Sequence, residues 1–219
     1  MNAIADFSAD DSLSRLDALE ELSRRLLDRA RAAGATQAEV SCSEDRGLNV
    51  NVRMGAVETV ESTRDRSIGM TVYFGQRKGS ASTADLRAES LDATVEQACA
   101  IARYTEHDEA SGLADAGLMA TEFPDLEAWH PWALDADHAV DLALACEAAG
   151  RDFDTRIANS DGASVGSGES IAVYANSHGF VGRVATNSAR PSGPWPAWRR
   201  ARCRPASIRC CLLRRWRVR

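Results

Sequence analysis

Apolar residues first recur with helical spacing. Leu13, Leu16, Leu19, Leu22, Leu26 and Ala30 fall three or four apart, which puts one apolar stripe on a helix of about six turns. Ser12 is placed to cap its start, and Gly34 to end it in a left-handed conformation. The period then drops to two. Ala38–Cys42, Leu48–Val52, Val57–Glu61 and Ile68–Tyr73 alternate apolar and polar positions and are separated by stretches with Gly, Asp and Arg that read as turns, the pattern of consecutive antiparallel strands. Met54-Gly55 and Gly75-Gln76 are expected turn tips, and Lys78–Ser82 a further strand.

Helical spacing returns after Asp85 and Ser90, through Leu91, Thr94-Val95, Ala98 and Ile101-Ala102, and is expected to end near Tyr104-Thr105. Residues 106–131 contain Gly112, Gly117, Pro124 and Pro131 without a sustained period, so they read as a long surface connection. Asp135 then caps a third helix carrying Ala139, Leu142-Ala143 and Cys146 and ending at Gly150. Arg156–Asn159 and Ser170–Tyr174 are expected strands around a glycine-rich link, with reversals at Asp161-Gly162 and His178-Gly179. A last strand begins at Phe180–Thr186 and is expected to leave an unpaired edge. Runs of strands separated by runs of helices give an α+β fold, an antiparallel sheet with helices packed on one face. The expected organisation is a disordered segment 1–12, an α+β domain 13–189 divisible into two subdomains joined by loop 106–134, and a tail 190–219.

Charge sets the tail apart. The chain carries 26 basic and 32 acidic side chains, net −6, yet ten arginines and no acid lie in residues 190–219. The body is therefore strongly acidic, which disfavours nucleic acid and anionic membrane surfaces. Lys78 is the sole lysine, a usage suggestive of GC-rich coding DNA. Out-of-frame reading of such DNA yields Arg, Pro, Ala, Cys and Trp, nearly the composition of the tail, so the tail is expected to be a disordered, frameshifted product. Cys42, Cys99 and Cys146 are widely spaced and fit reduced structural thiols. The N-terminus has no basic-then-apolar leader, and no run approaches the roughly 20 apolar residues of a membrane span. The expected location is the cytoplasm.

The search for chemistry is largely negative. His107, His130, His138 and His178 are in no HExxH-like arrangement. Glu106-His107-Asp108-Glu109 reads as a solvated loop, His178 as a turn residue and His130 as part of a loop pinned by Trp129 and Trp132. Gly162–Gly168 superficially looks like a phosphate cradle, but a strand-like segment follows it and no P-loop lysine does; it reads as a mobile hairpin loop. Cys203, Cys210 and Cys211 lack the usual four-ligand zinc spacing. No catalytic, metal or substrate-binding residue is assigned.

Several stretches are informative together: Arg53-Met54-Gly55-Ala56-Val57-Glu58, Ile68–Tyr73, Arg77–Leu86, Ile101–Thr105, Pro124-Asp125-Leu126, His130-Pro131 and Asn176-Ser177-His178-Gly179. In this order they resemble the N-terminal domain of the PmbA/TldE branch of the TldD–PmbA metallopeptidase family, once labelled modulator of DNA gyrase. The resemblance covers roughly residues 13–189. It implies the non-zinc subunit of a cytoplasmic TldD–TldE metalloprotease acting on unfolded peptides, peptide-antibiotic precursors and antitoxins. It also implies that zinc belongs to the TldD-like partner, so no cofactor is expected in this chain. A second, larger β-rich domain of the family does not follow in this sequence, and the chain is expected to be truncated. The alternative is a non-enzymatic binding module whose Arg- and Trp-rich tail contacts nucleic acid or membrane.

Overall fold

The computed structural model describes residues 9–124, 126–130, 132 and 134–193. The tail from residue 194, with its three cysteines and every role considered for it, lies outside the described residues, as do residues 1–8.

Helix α1 spans Ala9–Ala32. It begins three residues before Ser12, which is buried inside the helix instead of capping it. The buried stripe is Ser12, Leu16, Leu19, Ser23, Leu26 and Ala30, whereas Leu13 is exposed. Ser23 can occupy the stripe because its hydroxyl donates to the Leu19 carbonyl (2.8 Å). The helix ends as the sequence predicts. Gly34 has φ +92, its N–H donates to Arg31 O (3.0 Å), and that of Ala35 donates to Ala30 O (3.1 Å). This is the paired C-terminal motif that glycine permits.

Five strands follow in the sheet order β3-β2-β1-β4-β5: β1 Gln37–Arg53, β2 Ala56–Phe74, β3 Arg77–Thr83, β4 Ala163–Asn176 and β5 Val181–Ser192. Four expected short strands merge into the two long ones, β1 and β2. The polar stretches 43–47 and 62–67, read as turns, continue the ladder. The real turn is Met54-Gly55, with φ 52 and 79, the two-residue reversal that matches strand twist. β2 and β3 pair antiparallel from Ile68↔Thr83 to Phe74↔Arg77 across Gly75-Gln76. The β1–β4 pairing is also antiparallel: Ser177 lies by Ala38, Gly168 by Arg46, Gly166 by Leu48 and Gly162 by Val52.

Two further readings are corrected. Ala163–Gly168 is not a mobile loop but the start of β4, its small residues pairing with β1. Arg156–Asn159 is not a strand; Asp154 holds the Arg156 side chain (Nη2–Oδ2 2.7 Å), and Ile157 is exposed. β5 occupies the sheet edge and continues through Arg190 and Pro191, past the break in composition. The α+β expectation is met: α1 and α2 (Ala88–Tyr104) cover one face of an antiparallel sheet.

The described residues fall into two compact units. Of the described residues, unit 1 draws on 9–49, 61–135 and 166–190, and unit 2 on 50–60, 136–165 and 191–193. The core of unit 1 packs Leu16, Leu19 and Leu26 of α1 and Leu91, Val95 and Ala98 of α2 on Val40, Met70 and Val173. α2 approaches β3 so closely that a Cβ at Gly79 would lie 2.2 Å from the Ala98 carbonyl oxygen. Unit 2 contains α3 (Ala136–Arg151), whose buried face is Ala139, Ala143, Cys146, Glu147 and Gly150. No helix among the described residues is long and apolar enough to cross a membrane.

Candidate functional site

Strand alternation gives the sheet of unit 1 a second face, turned away from α1 and α2. The even positions Ala38, Val40 and Cys42 join the core, which turns Glu39 and Ser41 the other way. The register puts Thr71 opposite Ser80 and Gly69 opposite Ser82. With Tyr174 these residues line an open groove of about 430 Å³. Gly69 leaves its floor low, and Ser41, Thr71, Ser80, Ser82 and Tyr174 supply hydroxyls. The Thr71 and Ser80 hydroxyls are hydrogen-bonded at 3.0 Å.

Glu39 anchors this face. It accepts the Tyr73 hydroxyl on Oε1 (3.0 Å) and the Tyr174 hydroxyl on Oε2 (2.7 Å). Burial first, then the carboxylate they donate to, keeps both phenols protonated beyond their ordinary range; Tyr73 is pushed up to about 12. The connection after α2 borders the same face. Gln37 Oε1 accepts the Leu113 N–H (2.9 Å), and the His178 ring lies 3.4 Å from Gln37 Nε2 and 3.1 Å from Ala114 O. Phe180 stacks edge-on with Phe123 and Tyr174 at 5.6 and 5.8 Å. His178 is therefore a turn residue that also ties a loop in place. The face offers fixed donors and acceptors to hold a polar chain, and no nucleophile–base pair.

A second constellation lies in unit 1 on the helix-covered side, where the apolar positions of β1 and β2 give way to charge. Glu44 is 5% exposed. Its Oε1 meets Arg15, Arg46 and Arg64 at 3.2, 3.2 and 2.9 Å, and its Oε2 meets Arg66 at 3.7 Å. Burial pushes this carboxyl up, but the four guanidinium groups outweigh it and hold Glu44 below its ordinary 4.5. In unit 2, Glu147 is buried on α3 and accepts the N–H groups of Met54 (2.7 Å) and Gly55 (2.8 Å). Burial raises it; the two N–H bonds, Ser160 and Arg151 more than reverse that, so it too is held low. This carboxylate clamps a turn and has no evident chemistry.

None of these three acids was singled out by the sequence. Glu39 and Glu44 were visible only as acids at odd and even positions of β1, and Glu44 was hidden in an apparent turn. Glu147 follows Cys146 on the predicted stripe, where a carboxylate reads as solvated. The histidines stay apart: His107 and His138 are exposed, and His130 is bound through its backbone to the Asn187 amide. Among the described residues no group of three or more His, Cys, Asp or Glu could hold a metal ion.

Comparison with known proteins gives this geometry a family. The model of PmbA/TldA metallopeptidase domain 1 matches residues 38–102, and that of the PmbA/TldA metallopeptidase central domain matches residues 129–192. The chain is 44% identical over 177 residues to a metalloprotease PmbA homolog of Haemophilus influenzae, covering 79% of this chain and 39% of that protein. It is 43% identical over 144 residues to metalloprotease PmbA of Escherichia coli O157:H7, covering 66% and 32%. A modulator-of-DNA-gyrase structure from Bacteroides thetaiotaomicron superposes with TM-score 0.70 at 25% identity over 78% of this chain and 39% of that one. TldE from Thermococcus kodakarensis shares the fold, with TM-score 0.60 at 19% identity over 78% and 37%. The chain thus spans 39% and 32% of the two curated relatives' lengths. With both domain models matched in order along one sheet and its helices, the chain belongs to the PmbA/TldD metallopeptidase family.

Proposed function

We propose that this chain is the TldE-type, non-zinc component of a cytoplasmic TldD–TldE metalloprotease, holding extended peptide while zinc and its water reside on a TldD-like subunit. The hydroxyl-lined groove on the open sheet face of unit 1 is the observation that carries this reading. Ser41, Thr71, Ser80 and Ser82 can each donate to a carbonyl or accept from an amide. Such groups engage any extended backbone without selecting its side chains. That suits unfolded peptides, peptide-antibiotic precursors and antitoxins, the substrates the family resemblance implies.

Likeness to PmbA proteins and to TldE supports a division of labour between two subunits. Because the chain spans 39% of its Haemophilus relative, activity is assigned to the assembly. The test is gel filtration with light scattering of the full chain mixed with a TldD-like subunit at about 10 µM, well above an ordinary µM affinity. Co-elution as a stoichiometric complex is expected. Independent elution of both folded proteins would overturn the proposal.

A further inference from the structure

Glu39 is the one charged side chain among the described residues that line the groove of unit 1. It is half-buried, and its two oxygens are held by hydroxyls, that of Tyr73 at 3.0 Å and that of Tyr174 at 2.7 Å. Both donors are neutral, so they fix the carboxylate without cancelling its charge. The other two acids differ. Glu44 meets four guanidinium groups, and Glu147 accepts two backbone N–H groups with Arg151 close by. Among the described residues no arginine, lysine or histidine forms an ion pair with Glu39; its partners are the two tyrosines. A carboxylate offers about four acceptor sites, and each tyrosine takes one. An oriented carboxylate that lacks a cation, at the side of an open groove, is an arrangement a cationic ligand completes.

We infer that Glu39 makes the groove select peptides that present a cationic group, either a lysine or arginine side chain or a free N-terminal ammonium. The inference rests on the groove being the peptide site proposed above. The hydroxyls of Ser41, Thr71, Ser80 and Ser82 meet backbone and are indifferent to side chains; Glu39 adds the one selective contact. A Cβ at Gly69 would meet only the Ser41 carbonyl oxygen, at 4.0 Å, so the floor there has room for a side chain or a chain end. Ammonium and guanidinium groups both donate to the lone pairs that the tyrosines leave. A glutamate or aspartate in the same place would bring like charges together. The net charge of −6 acts in the same sense, favouring the approach of a cationic peptide over an anionic one.

The probe is an unstructured octapeptide of serine, glycine and asparagine, labelled at its C-terminus with an uncharged dye and measured by anisotropy against the full chain. Four versions separate the sources of charge: acetylated with a central lysine, acetylated with a central norleucine, acetylated with a central glutamate, and norleucine with a free N-terminus. One or both cationic versions should bind tighter than the acetylated norleucine peptide by about fivefold or more, the size of a charge pair that solvent reaches. The glutamate version should bind weakest, and rising salt should narrow the spread. Glu39→Gln should remove the preference and leave the acetylated norleucine peptide bound as it is to wild type. Loss of affinity for all four alike would assign Glu39 to holding the tyrosines and overturn the inference. Equal binding of cationic and neutral peptides by wild type would also overturn it, with the groove still the peptide site. Binding of none of the four would remove the groove as the peptide site, and the inference with it. Should Glu39→Gln not fold, Ser41→Lys sets a cation two residues along on the same side of β1 while keeping Glu39. It must abolish the preference; a preference unchanged counts against the site.

Discussion

Gly79→Ala probes the packing of the sheet most sharply. The added Cβ would lie 2.2 Å from Ala98 O, 2.4 Å from Ala102 N and 2.9 Å from Ala102 Cβ. Two of these atoms are helix backbone, so no side-chain rotation relieves the clash. Either α2 withdraws by about 1 Å or β3 leaves its register. Withdrawal opens a gap under Leu91, Val95, Ala98, Cys99 and Ala102, all buried now. A gap of ~0.5–1 Å forfeits roughly a quarter to a half of each contact's attraction. The expected cost is about 3 kcal/mol, the upper part of the range for overpacked cores. For a chain of this size that lowers Tm by roughly 6–12 °C. Gly117→Ala is the control: nothing lies within 4 Å of its Cβ position and no positive φ is involved. It should stay within about 0.5 kcal/mol of wild type. Urea and thermal unfolding followed by circular dichroism read both. If Gly79→Ala matches the control, α2 does not sit on β3 as closely as described.

The β1–β2 turn should be improvable. Met54 sits at φ 52 before Gly55 at φ 79, so Met54→Asn creates the preferred Asn-Gly reversal and should raise stability by about 0.5–1 kcal/mol in urea unfolding. Glu147→Gln replaces one of the two oxygens that accept the turn's N–H groups with an amide donor, and should cost about 1–3 kcal/mol. Because Glu44 and Glu147 are both held below their ordinary 4.5 when folded, the unfolded chain takes up protons first as pH falls. Their contribution is complete above about pH 4.5 and is lost as pH drops through the depressed folded values. Melting curves across that window should show Tm falling with acid, less steeply in Glu147→Gln. In an alkaline absorbance titration, Tyr73→Phe should remove a phenolate step near pH 12; an unchanged trace would separate Tyr73 from Glu39.

What the sequence disclosed depended on whether burial or polar pairing held each element. The Gly34 stop, the Met54-Gly55 and His178-Gly179 reversals and α2 were legible because backbone sterics and apolar spacing decide them locally. The strand centres were not. Residues 43–47 and 62–67 look like turns because their side chains are charged, yet Glu44 and Arg64 satisfy each other across neighbouring strands. Ala163–Gly168 looked mobile because glycine is permissive, although pairing with β1 orders it. The groove was half visible. Alternation put Glu39 and Ser41 on the face away from the core, but only the sheet order brings Tyr174 of β4 beside them. No local signal marked Arg64 and Arg66 as neighbours of a buried acid.

In the proposed function the chain holds peptide for a partner that bears the zinc. Hydrolysis of an unstructured fluorogenic peptide, with and without a zinc chelator, tests this most directly when run on the full chain alone and again with a TldD-like subunit added. The chain alone should show no chelator-sensitive cleavage, and the mixture should show chelator-sensitive cleavage exceeding that of the TldD-like subunit by itself. Chelator-sensitive hydrolysis by the purified chain alone, with zinc bound in stoichiometric amount, would contradict it.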